Sequence, residues 1–375
     1  MNIAVLGCGV VGGGLVKLCE GRKDLSVKKI LDLREFPELS IPVTKDYSEI
    51  VNDPEIDIVV ETMGGFKPAF DFAEAVLKAG KHFVTANKQM IAAGFDTLVP
   101  LAIQKGLGLR CTAAAGGGIP WLYELARAAE VDEILNLSGI MNGTTNYILD
   151  RMTKEGADFG EVLKEAQKLG FAEADPTADI DGWDIRRKLL LSANIAFGVS
   201  MKEEDIPMLG IRHVSAEDIA AFKEKGMVLR IIGSAEKTAR GIAASVIPTV
   251  FEETDPEAAV GGCFNRFSFA AARIGNRAFY GQGAGSLPTA ANVLRDCMDI
   301  EAGFRGFYRS DFKPAQPDSS STNEIFYVRT ADPKKFDAVK DSDFGPGILT
   351  KPMALSEILP LLSGEDFVAK LAVYL

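Results

Sequence analysis

The sequence predicts an α/β fold in which an N-terminal Rossmann-type parallel sheet precedes a second, mixed α+β domain. Short β-branched runs alternate with helical stretches over residues 1–110, which is the pattern of βαβ units. A glycine-rich turn joins the first of these runs to the first helical stretch. The chain has 375 residues, too many for one ordinary core, so we expect two or three domains.

The first domain is expected to contain five strands and four helices. The strands are short apolar runs, namely Asn2–Leu6, Val27–Leu33, Ile56–Glu61, His82–Thr85 and Leu107–Thr112. The helices carry apolar residues at helical spacing, and they are Val10–Cys19, Pro68–Ala79, Asp96–Lys105 and Ile119–Ala129.

The regular alternation ends near residue 131, and the following half of the chain is typical of a mixed domain. The expected strands are Glu133–Met141, the paired strands Met227–Ala235 and Gly241–Pro248, and Glu324–Thr330. The expected helices are Thr144–Lys154, Phe159–Leu169, Asp184–Ala196 and Pro288–Asp299. We expect the last helix to pack back on the first domain. Pro314–Thr322 is rich in Pro, Ser and Asp, which predicts a linker or exposed loop.

The composition excludes several classes of protein. Hydrophobic residues make up 47% and charged residues 25%, which is typical of globular domains and not of disordered or fibrous chains. The 52 acidic residues exceed the 41 basic ones and give a net charge of −11, which disfavours nucleic acid and anionic membranes as partners. No apolar run approaches the roughly 18 residues that span a bilayer.

The numbers and spacing of cysteine and histidine residues limit the kinds of metal site, disulfide and proton-transfer group that the chain can form. The five cysteines are scattered and include no C-x-x-C pair, which favours free thiols in a reducing cytoplasm over disulfides or a zinc site. The chain has only two histidines, so proton transfer is expected to use Lys, Asp or Glu.

Gly7-x-Gly9-x-x-Gly12 predicts a dinucleotide site, because it follows an expected strand and opens an expected helix. The helix N-terminus would hold the pyrophosphate. Asp32 lies twenty positions after Gly12 and is placed to bind an adenosine ribose, which favours NAD. Arg34 would pair with a 2′-phosphate, which favours NADP. Asp32 stands at the more typical place, so NAD is slightly favoured.

The segment Glu173–Asp184 contains five carboxylates in twelve residues, and its simplest interpretation is a solvated acidic loop. Trp183 and an amphipathic helix follow at once, however, which indicates that the acids lead into a buried element. On that helix Asp184 and Lys188 are four residues apart and share a face. They are either a surface ion pair or a lysine whose proton a carboxylate holds and tunes.

Two further segments add anion-binding and cationic groups. Lys88 follows the strand His82–Thr85, where ligands of open α/β sheets bind, although a solvated loop lysine is the alternative. Asn142–Asn146 joins a strand to a helix, and it would either hold a carboxylate or simply cap the helix. Together with the acids, these segments predict a site for a small zwitterion such as an amino acid.

These segments resemble one family, the homoserine dehydrogenases. They occur in the family's order over roughly residues 1–300: Gly7–Gly12, Thr85–Lys88, Gly116–Pro120, Ser138–Leu149, Glu173–Pro176, Asp184–Lys188, Gly281–Gly285 and Pro288–Ala290. The resemblance implies an enzyme of threonine and methionine biosynthesis that interconverts L-homoserine and L-aspartate 4-semialdehyde with NAD or NADP. It also implies a homodimer or a dimer of dimers.

The resemblance also implies roles for individual residues. Lys188 would be the acid/base, oriented by Asp184, and Lys88 would place substrate and cofactor. The implied substrate positions are Glu173, Asp179, Asp184, Thr144, Gly170 and Phe171. The implied cofactor positions are Gly7, Gly9, Val10, Val11, Gly12, Asp32, Arg34, Thr62, Met63, Lys88 and Gly283. A monovalent cation, usually sodium, would lie on the backbone carbonyls of Thr112, Ala115, Gly117 and Ile119.

By the same resemblance, residues 1–130 would form the dinucleotide-binding domain, with 285–310 packing back on it, and residues 131–284 the catalytic and dimerisation domain. Residues 311–375 would form a short C-terminal segment. Long family members end in an ACT regulatory domain, and Glu324–Leu375 is too short for a complete one, although Ile325–Arg329 resembles its first strand. Regulation by threonine is therefore left open.

Two further departures concern single residues. The family usually has Glu at the position of Thr112, so side-chain support for the cation carbonyl would differ. It usually has Tyr at the position of Phe171, so one substrate-facing hydroxyl is missing.

Other functions remain alternatives. Another two-domain NAD(P) oxidoreductase of the sugar or amino-acid type would carry an E-K-P segment where this chain has Ala86-Asn87-Lys88. Aspartate-semialdehyde dehydrogenase would need a cysteine nucleophile with a histidine partner. A non-catalytic NAD(P)-binding regulator would lack one of Lys88, Glu173, Asp184 or Lys188, and all four are present.

Overall fold

The computed structural model describes residues 1–306 and 312–372, and the chain divides into two compact units. The first unit contains Met1–Glu133, Leu190–Glu203 and Gly281–Pro314. The second contains Ile134–Leu189, Glu204–Tyr280 and Ala315–Leu375. Among the described residues, no helix is both long and apolar enough to cross a membrane.

The N-terminal part of the first unit alternates strands and helices. Its elements are β1 (Asn2–Leu6), α1 (Val10–Cys19), β2 (Ser26–Leu31), β3 (Val43–Thr44), α2 (Ser48–Val51), β4 (Ile58–Glu61), α3 (Ala69–Lys78), β5 (His82–Thr85), α4 (Lys88–Lys105), β6 (Leu109–Arg110) and α5 (Trp121–Val131).

The described strands of this part form one six-stranded sheet in the order β3-β2-β1-β4-β5-β6, and every pair is parallel. Parallel neighbours need crossover connections, which helices such as α1 and α3 supply. Because both faces are covered, all four residues of β4 are buried. The expected parallel, Rossmann-type sheet is therefore confirmed.

The middle of the chain carries both helices and long strands. Its elements are β7 (Ile134–Ile140), α6 (Gly143–Glu155), α7 (Phe159–Lys168), α8 (Thr177–Ile180), α9 (Trp183–Phe197), β8 (Val199–Ser200), α10 (Ala216–Glu224), β9 (Met227–Lys237), β10 (Ile242–Glu252), β11 (Phe264–Ala271), β12 (Gly275–Gln282) and α11 (Ser286–Glu301).

Helix α11 packs against α1 within the first unit. A Cβ atom on Gly14 would lie 3.1 Å from the Cβ of Ala290, so the two helices approach closely at this glycine. The Ser286 hydroxyl donates a 2.6 Å hydrogen bond to the Val10 carbonyl. Val293 and Cys297 of α11 belong to the same core cluster as residues of β1.

The C-terminal part is richer in strands than its sequence indicates. Its elements are β13 (Lys313–Pro314), β14 (Phe326–Arg329), β15 (Lys340–Phe344), β16 (Gly347–Thr350), α12 (Leu355–Ile358) and β17 (Phe367–Leu371).

A nine-stranded sheet runs in the order β12-β11-β7-β9-β10-β17-β14-β16-β15 among the described residues. The expected hairpin is confirmed, because β9 and β10 pair antiparallel from Ile242 opposite Lys237 to Glu252 opposite Met227. β17 pairs parallel to β10 and antiparallel to β14, so the sheet is mixed. This confirms the expected second domain of mixed type.

Several predicted boundaries were wrong for physical reasons. β2 ends at Leu31, and Leu33 beyond it is 82% exposed. The strand expected at Leu107–Thr112 keeps only two residues, because the chain turns into a 3-10 helix at Thr112. Helix α4 begins eight residues before the expected Asp96, where the Asn87 side chain caps it. The interpretation of Pro314–Thr322 as exposed fails at Asp318, which is buried and accepts hydrogen bonds from Thr238 and Ser320.

The sequence predicts one strand after residue 322, whereas the described residues of this segment form four. Phe326 and Val328 of β14 lie in a core cluster with Ile247 of β10 and Phe336. The Tyr327 hydroxyl donates a 2.6 Å hydrogen bond to the buried carboxylate of Asp218 at the start of α10. The C-terminal strands are thus part of the core of the second unit.

Replacing Phe326, which is fully buried, with Ala should lower the free energy of unfolding by about 3–5 kcal/mol, because the change leaves a cavity in this core. Urea unfolding followed by circular dichroism measures it. Lys334→Ala, at an exposed position of the same segment, should change the value by less than about 0.5 kcal/mol. If both variants lost equally little unfolding free energy, the C-terminal segment would not be part of the core of the second unit.

Candidate functional site

The glycine-rich turn after β1 has the geometry that a dinucleotide requires. Gly7 has φ of +87°, and a Cβ on Gly12 would lie 2.0 Å from the Gly7 carbonyl oxygen, so neither position admits another residue. A Cβ on Gly9 would meet nothing within 4 Å, and no side chain caps α1 at this residue. The N-terminus of α1, which starts with Val10 and Val11, therefore has open space for an anion beside Gly9.

Asp32 and Arg34, the two opposing clues to cofactor preference, bind each other just after β2. The Arg34 guanidinium donates to both Asp32 carboxylate oxygens at 3.0 and 2.8 Å, and the Cys8 amide donates to Asp32 at 2.8 Å. These hydrogen bonds, that of Arg34 first, hold the pKa of Asp32 well below its usual range. An ionised acceptor thus lies beside the glycine turn, and the exposed Arg34 covers it.

The ends of β4 and β5 bring further predicted residues to the carboxyl edge of the parallel sheet. The Thr62 hydroxyl donates a 2.6 Å hydrogen bond to the Gly7 carbonyl, and Met63 packs against Gly7. Lys88 is the first residue of α4 and is half-buried, so the alternative of a solvated loop lysine was wrong. Ligands of parallel sheets bind at this edge.

In the second unit, Lys188 is buried between two acceptors. Its ammonium donates to the Asp184 carboxylate at 2.7 Å and to the Met141 carbonyl at 2.6 Å. Both ionised side chains are about 8% exposed, so the pair on α9 is not the surface ion pair that the sequence left open. A buried lysine with a carboxylate partner is a group suited to exchanging a proton.

Asn142 connects this pair to a second carboxylate. Its amide nitrogen donates to Asp179 at 2.7 Å and to Asp184 at 2.9 Å. Its amide oxygen accepts the Thr145 N–H at 2.8 Å and so caps α6. Burial, with the neighbouring charge of Asp184 second, raises the pKa of Asp179. The sequence left Asn142–Asn146 open between holding a carboxylate and capping the helix. The cap is confirmed at Asn142, whereas its contacts with Asp179 and Asp184 were not predicted.

The acidic segment therefore has no single role. Asp175 accepts the Thr177 N–H at the start of α8, and Asp181 forms a two-contact ion pair with Arg212 at 2.9 Å. Among the described contacts of this segment, Asp179 and Asp184 are the acids that Asn142 binds, and Asp184 also binds Lys188. The Glu173 side chain is exposed, and within the described residues no ion pair of this carboxylate is found.

The predicted carboxylate-binding residues lie at the start of α6. The Thr144 hydroxyl donates a 2.6 Å hydrogen bond to the Phe171 carbonyl, and the rings of Tyr147 and Phe171 are 5.0 Å apart. Gly170 has φ of +78°, which lets the chain turn after α7. Phe171 is 41% exposed.

The carbonyls predicted to hold a cation lie in the tight segment Thr112–Ile119 of the first unit. A fully buried carboxylate, Asp296, fixes its start by accepting the Thr112 N–H and hydroxyl at 2.8 and 2.7 Å. Asn292 donates to the Gly117 carbonyl at 2.7 Å, and a Cβ on Gly117 would lie 2.3 Å from the Gly283 carbonyl. Local sequence patterns did not predict roles for Asp296 and Asn292, because both lie far along the chain in α11.

Comparisons with known proteins indicate one family. A family model described as "Homoserine dehydrogenase, NAD binding domain" matches residues 7–111, and one described as "Homoserine dehydrogenase" matches residues 120–298. The homoserine dehydrogenase of Bacillus subtilis is 36% identical over 319 residues, 81% of this chain and 74% of that protein. The Synechocystis protein of the same name is 40% identical over 80% of this chain and 73% of its own length. The solved structure of a homoserine dehydrogenase from Thiobacillus denitrificans matches with a TM-score of 0.90 at 30% identity, covering 99% of this chain and 98% of that one.

Asn142→Asp should destabilise the folded protein more at pH 8 than at pH 5. The substituted side chain still caps α6, but it faces Asp179 and Asp184 with a third negative charge in place of a donor. Its folded-state pKa would be raised, so the folded state binds protons more tightly and loses stability as pH rises.

Thermal unfolding at both pH values measures this effect. Asn142→Ser, which keeps a capping oxygen without a new charge, should show a deficit that changes little with pH. Equal deficits of the Asp variant at pH 5 and pH 8 would contradict the bridging geometry.

Proposed function

The chain belongs to the homoserine dehydrogenase family and is an oxidoreductase, and from this premise we propose how its residues divide the reaction between them. The overall chemistry interconverts L-homoserine and L-aspartate 4-semialdehyde. The observation that carries the proposal is the buried ammonium of Lys188, held at 2.7 Å from Asp184.

Oxidation of an alcohol requires removal of its hydroxyl proton together with transfer of a hydride. A bound nicotinamide ring supplies the hydride acceptor. We assign the proton to Lys188, which in its neutral form takes the hydroxyl proton and in the reverse reaction returns it. Asp184 and the Met141 carbonyl hold the lysine nitrogen in place and stabilise its charged form.

The substrate is a zwitterion, and we propose that each of its charges meets a different group. Asp179, Asp184 and Glu173 would receive the ammonium. Thr144 and Gly170 would bind the carboxylate. Because the Thr144 hydroxyl already donates to the Phe171 carbonyl, the backbone N–H of Thr144 is the better donor to the substrate. Phe171 lacks the hydroxyl that the family usually has there, which would weaken one substrate contact.

We propose that the dinucleotide binds along Gly7, Gly9, Val10, Val11 and Gly12, since the space beside Gly9 is open and α1 has no side-chain cap. Thr62, Met63, Lys88 and Gly283 would lie on its nicotinamide side. NAD is slightly favoured, because Asp32 is fixed as an acceptor by the Cys8 amide. NADP would require Arg34 to leave Asp32 for the 2′-phosphate.

A monovalent cation, in the family usually sodium, is proposed for the carbonyls of Thr112, Ala115, Gly117 and Ile119. Gly116 and Gly117 have positive φ angles, so the backbone turns sharply here, which supports carbonyl groups that point toward one position. The Gly117 and Ile119 carbonyls each accept one N–H and keep a second lone pair for a cation. The Thr112 side chain supports this segment through Asp296, in place of the usual Glu.

Assembly, location and pathway are proposed from the resemblance. We propose a homodimer or a dimer of dimers that serves threonine and methionine biosynthesis. A reducing cytoplasm is supported by the five cysteines, all of which are free thiols.

Lys188→Ala should lower homoserine-dependent turnover by about 10²–10⁴-fold, because the proton acceptor is lost. Purified protein, L-homoserine and NAD or NADP in separate cuvettes are followed at 340 nm, with NaCl and KCl compared. NAD(P) binding, measured by fluorescence titration, should change by no more than a few-fold.

Lys154→Ala is the matched control for this lysine. Lys154 also pairs with an aspartate four residues away, Asp150, but it is 64% exposed, and its loss should leave turnover unchanged. If the Lys188 variant retained most of its activity, the acid/base role would be wrong. If the unmodified protein reduced neither cofactor, the substrate assignment would be wrong, with Phe171 the first residue to reconsider.

Asp32→Ser should shift the ratio of kcat/KM for NAD over that for NADP toward NADP, because the ribose acceptor is lost and Arg34 is released. Arg34→Ala should shift the same ratio in the opposite direction. Steady-state kinetics with both cofactors measure it. An unchanged ratio in both variants would contradict the placement of Asp32 and Arg34 at the adenosine ribose.

A further inference from the structure

Glu61, the last residue of β4, is a carboxylate with no access to solvent, and the reaction proposed above does not use it. Burying a carboxylate is unfavourable unless donors compensate for its lost water. Burial raises the pKa of Glu61, and its hydrogen-bond donors oppose that shift. A carboxyl group buried at such a position requires hydrogen-bond partners that replace its water.

The carboxylate lies between the loops that follow β4 and β5. One oxygen accepts the N–H groups of Met63 at 2.8 Å and Gly64 at 3.1 Å. The other accepts the Thr85 hydroxyl at 2.6 Å. The Asn87 amide nitrogen adds a longer contact of 3.4 Å to the first oxygen. Glu61 is therefore the shared acceptor of two loops at the carboxyl edge of the sheet.

On the β5 side, this bonding continues to Lys88. The Thr85 hydroxyl accepts the Asn87 N–H at 2.9 Å, and the Asn87 amide nitrogen donates to the Gly65 carbonyl at 2.6 Å. The Asn87 amide oxygen caps α4 by accepting the Met90 N–H at 3.1 Å. The direction in which α4 starts, and with it the position of Lys88, depends on these bonds.

On the β4 side, the same strand end reaches the glycine turn. The Thr62 hydroxyl holds the Gly7 carbonyl, and Met63, whose N–H Glu61 accepts, packs on Gly7. Glu61, the last residue of β4, and Thr62, which follows it, thus fix the Met63–Gly65 loop and the glycine turn, respectively.

We propose that Glu61 is a positioning residue that holds the nicotinamide-side loop Met63–Gly65 and the start of α4, with Lys88, in one arrangement. This inference rests on the proposed roles of Met63 and Lys88. It predicts that loss of the carboxylate leaves the adenosine end of the cofactor site intact and disturbs the nicotinamide end.

The test compares Glu61→Ala, Glu61→Gln and Thr85→Val. The Ala variant should lose about 10²-fold in kcat/KM for NAD with homoserine, as expected for small misplacement of reacting groups. The Gln variant should recover most of that loss, because its carbonyl still accepts from Met63 and Gly64 and its amide donates to Thr85. Thr85→Val keeps the side-chain shape while breaking the link to Asn87, and should lose activity in the same direction.

Binding provides a readout that is independent of turnover. ADP-ribose, which lacks the nicotinamide ring, should bind all variants as it binds the unmodified protein. NAD should bind Glu61→Ala more weakly, so that the ratio of NAD to ADP-ribose affinity falls. This ratio tests Glu61 even if homoserine proves to be the wrong substrate, since it requires no reaction.

Asp218→Asn is the control for a purely structural carboxylate. Asp218 is also fully buried and accepts from Ser215, Tyr327 and Arg329 in the second unit. Its loss should lower thermal stability and leave the affinity ratio unchanged. The proposal is overturned if Glu61→Ala behaves like this control, or if Glu61→Gln is as impaired as Glu61→Ala.

Discussion

The cost of burying charge is the constraint on which the site in the second unit depends. Asp184 and the Met141 carbonyl replace water around the buried ammonium of Lys188 and so offset the cost of its burial. Asp184 and Asp179 in turn repel each other unless a donor lies between them, and Asn142 supplies it. The helix α6 decides which way that amide points, because the Thr145 N–H takes the oxygen and leaves the nitrogen for the two acids. The same side chain, Asn142, therefore caps α6 and binds the two acids beside Lys188.

In the first unit, buried carboxylates are likewise stabilised by hydrogen-bond donors that replace their water. Asp296 is fully buried and is compensated by Arg110 together with the N–H and hydroxyl of Thr112. Glu61 is compensated by backbone N–H groups and Thr85. In both cases the buried carboxylate binds a segment that has just left a strand, where the backbone has lost its sheet partners. Each acid thereby fixes a loop that no regular hydrogen-bond ladder would hold.

Local pattern was sufficient to predict the parallel sheet, the glycine turn and the pairing of Asp184 with Lys188, because each depends on residues close in sequence. The same local information left the environment of Lys188 open between surface and interior. Burial depends on Met141 and Asn142, which lie more than forty residues earlier on another element. The hairpin of β11 and β12 was not predicted, since the residues of β12 are largely exposed and lack a clear apolar alternation. Asp296 was missed for the reason that its partner Thr112 lies 184 residues away.

The pairing of the C-terminal strands shows whether this segment forms a separate module or part of the second unit. A detached regulatory module needs its own core and its own sheet, and short local patterns made the segment after residue 322 resemble the start of one. In the structure β17 lies between β10 and β14, so it is an interior strand of the nine-stranded sheet. Removing it would expose the edge of β10 and open the core around Ile247. Tyr327 and Arg329 also bind Asp218, which caps α10 through its box with Ser215. The C-terminal segment is therefore part of the same sheet as β7, the strand that leads into Met141 and Asn142.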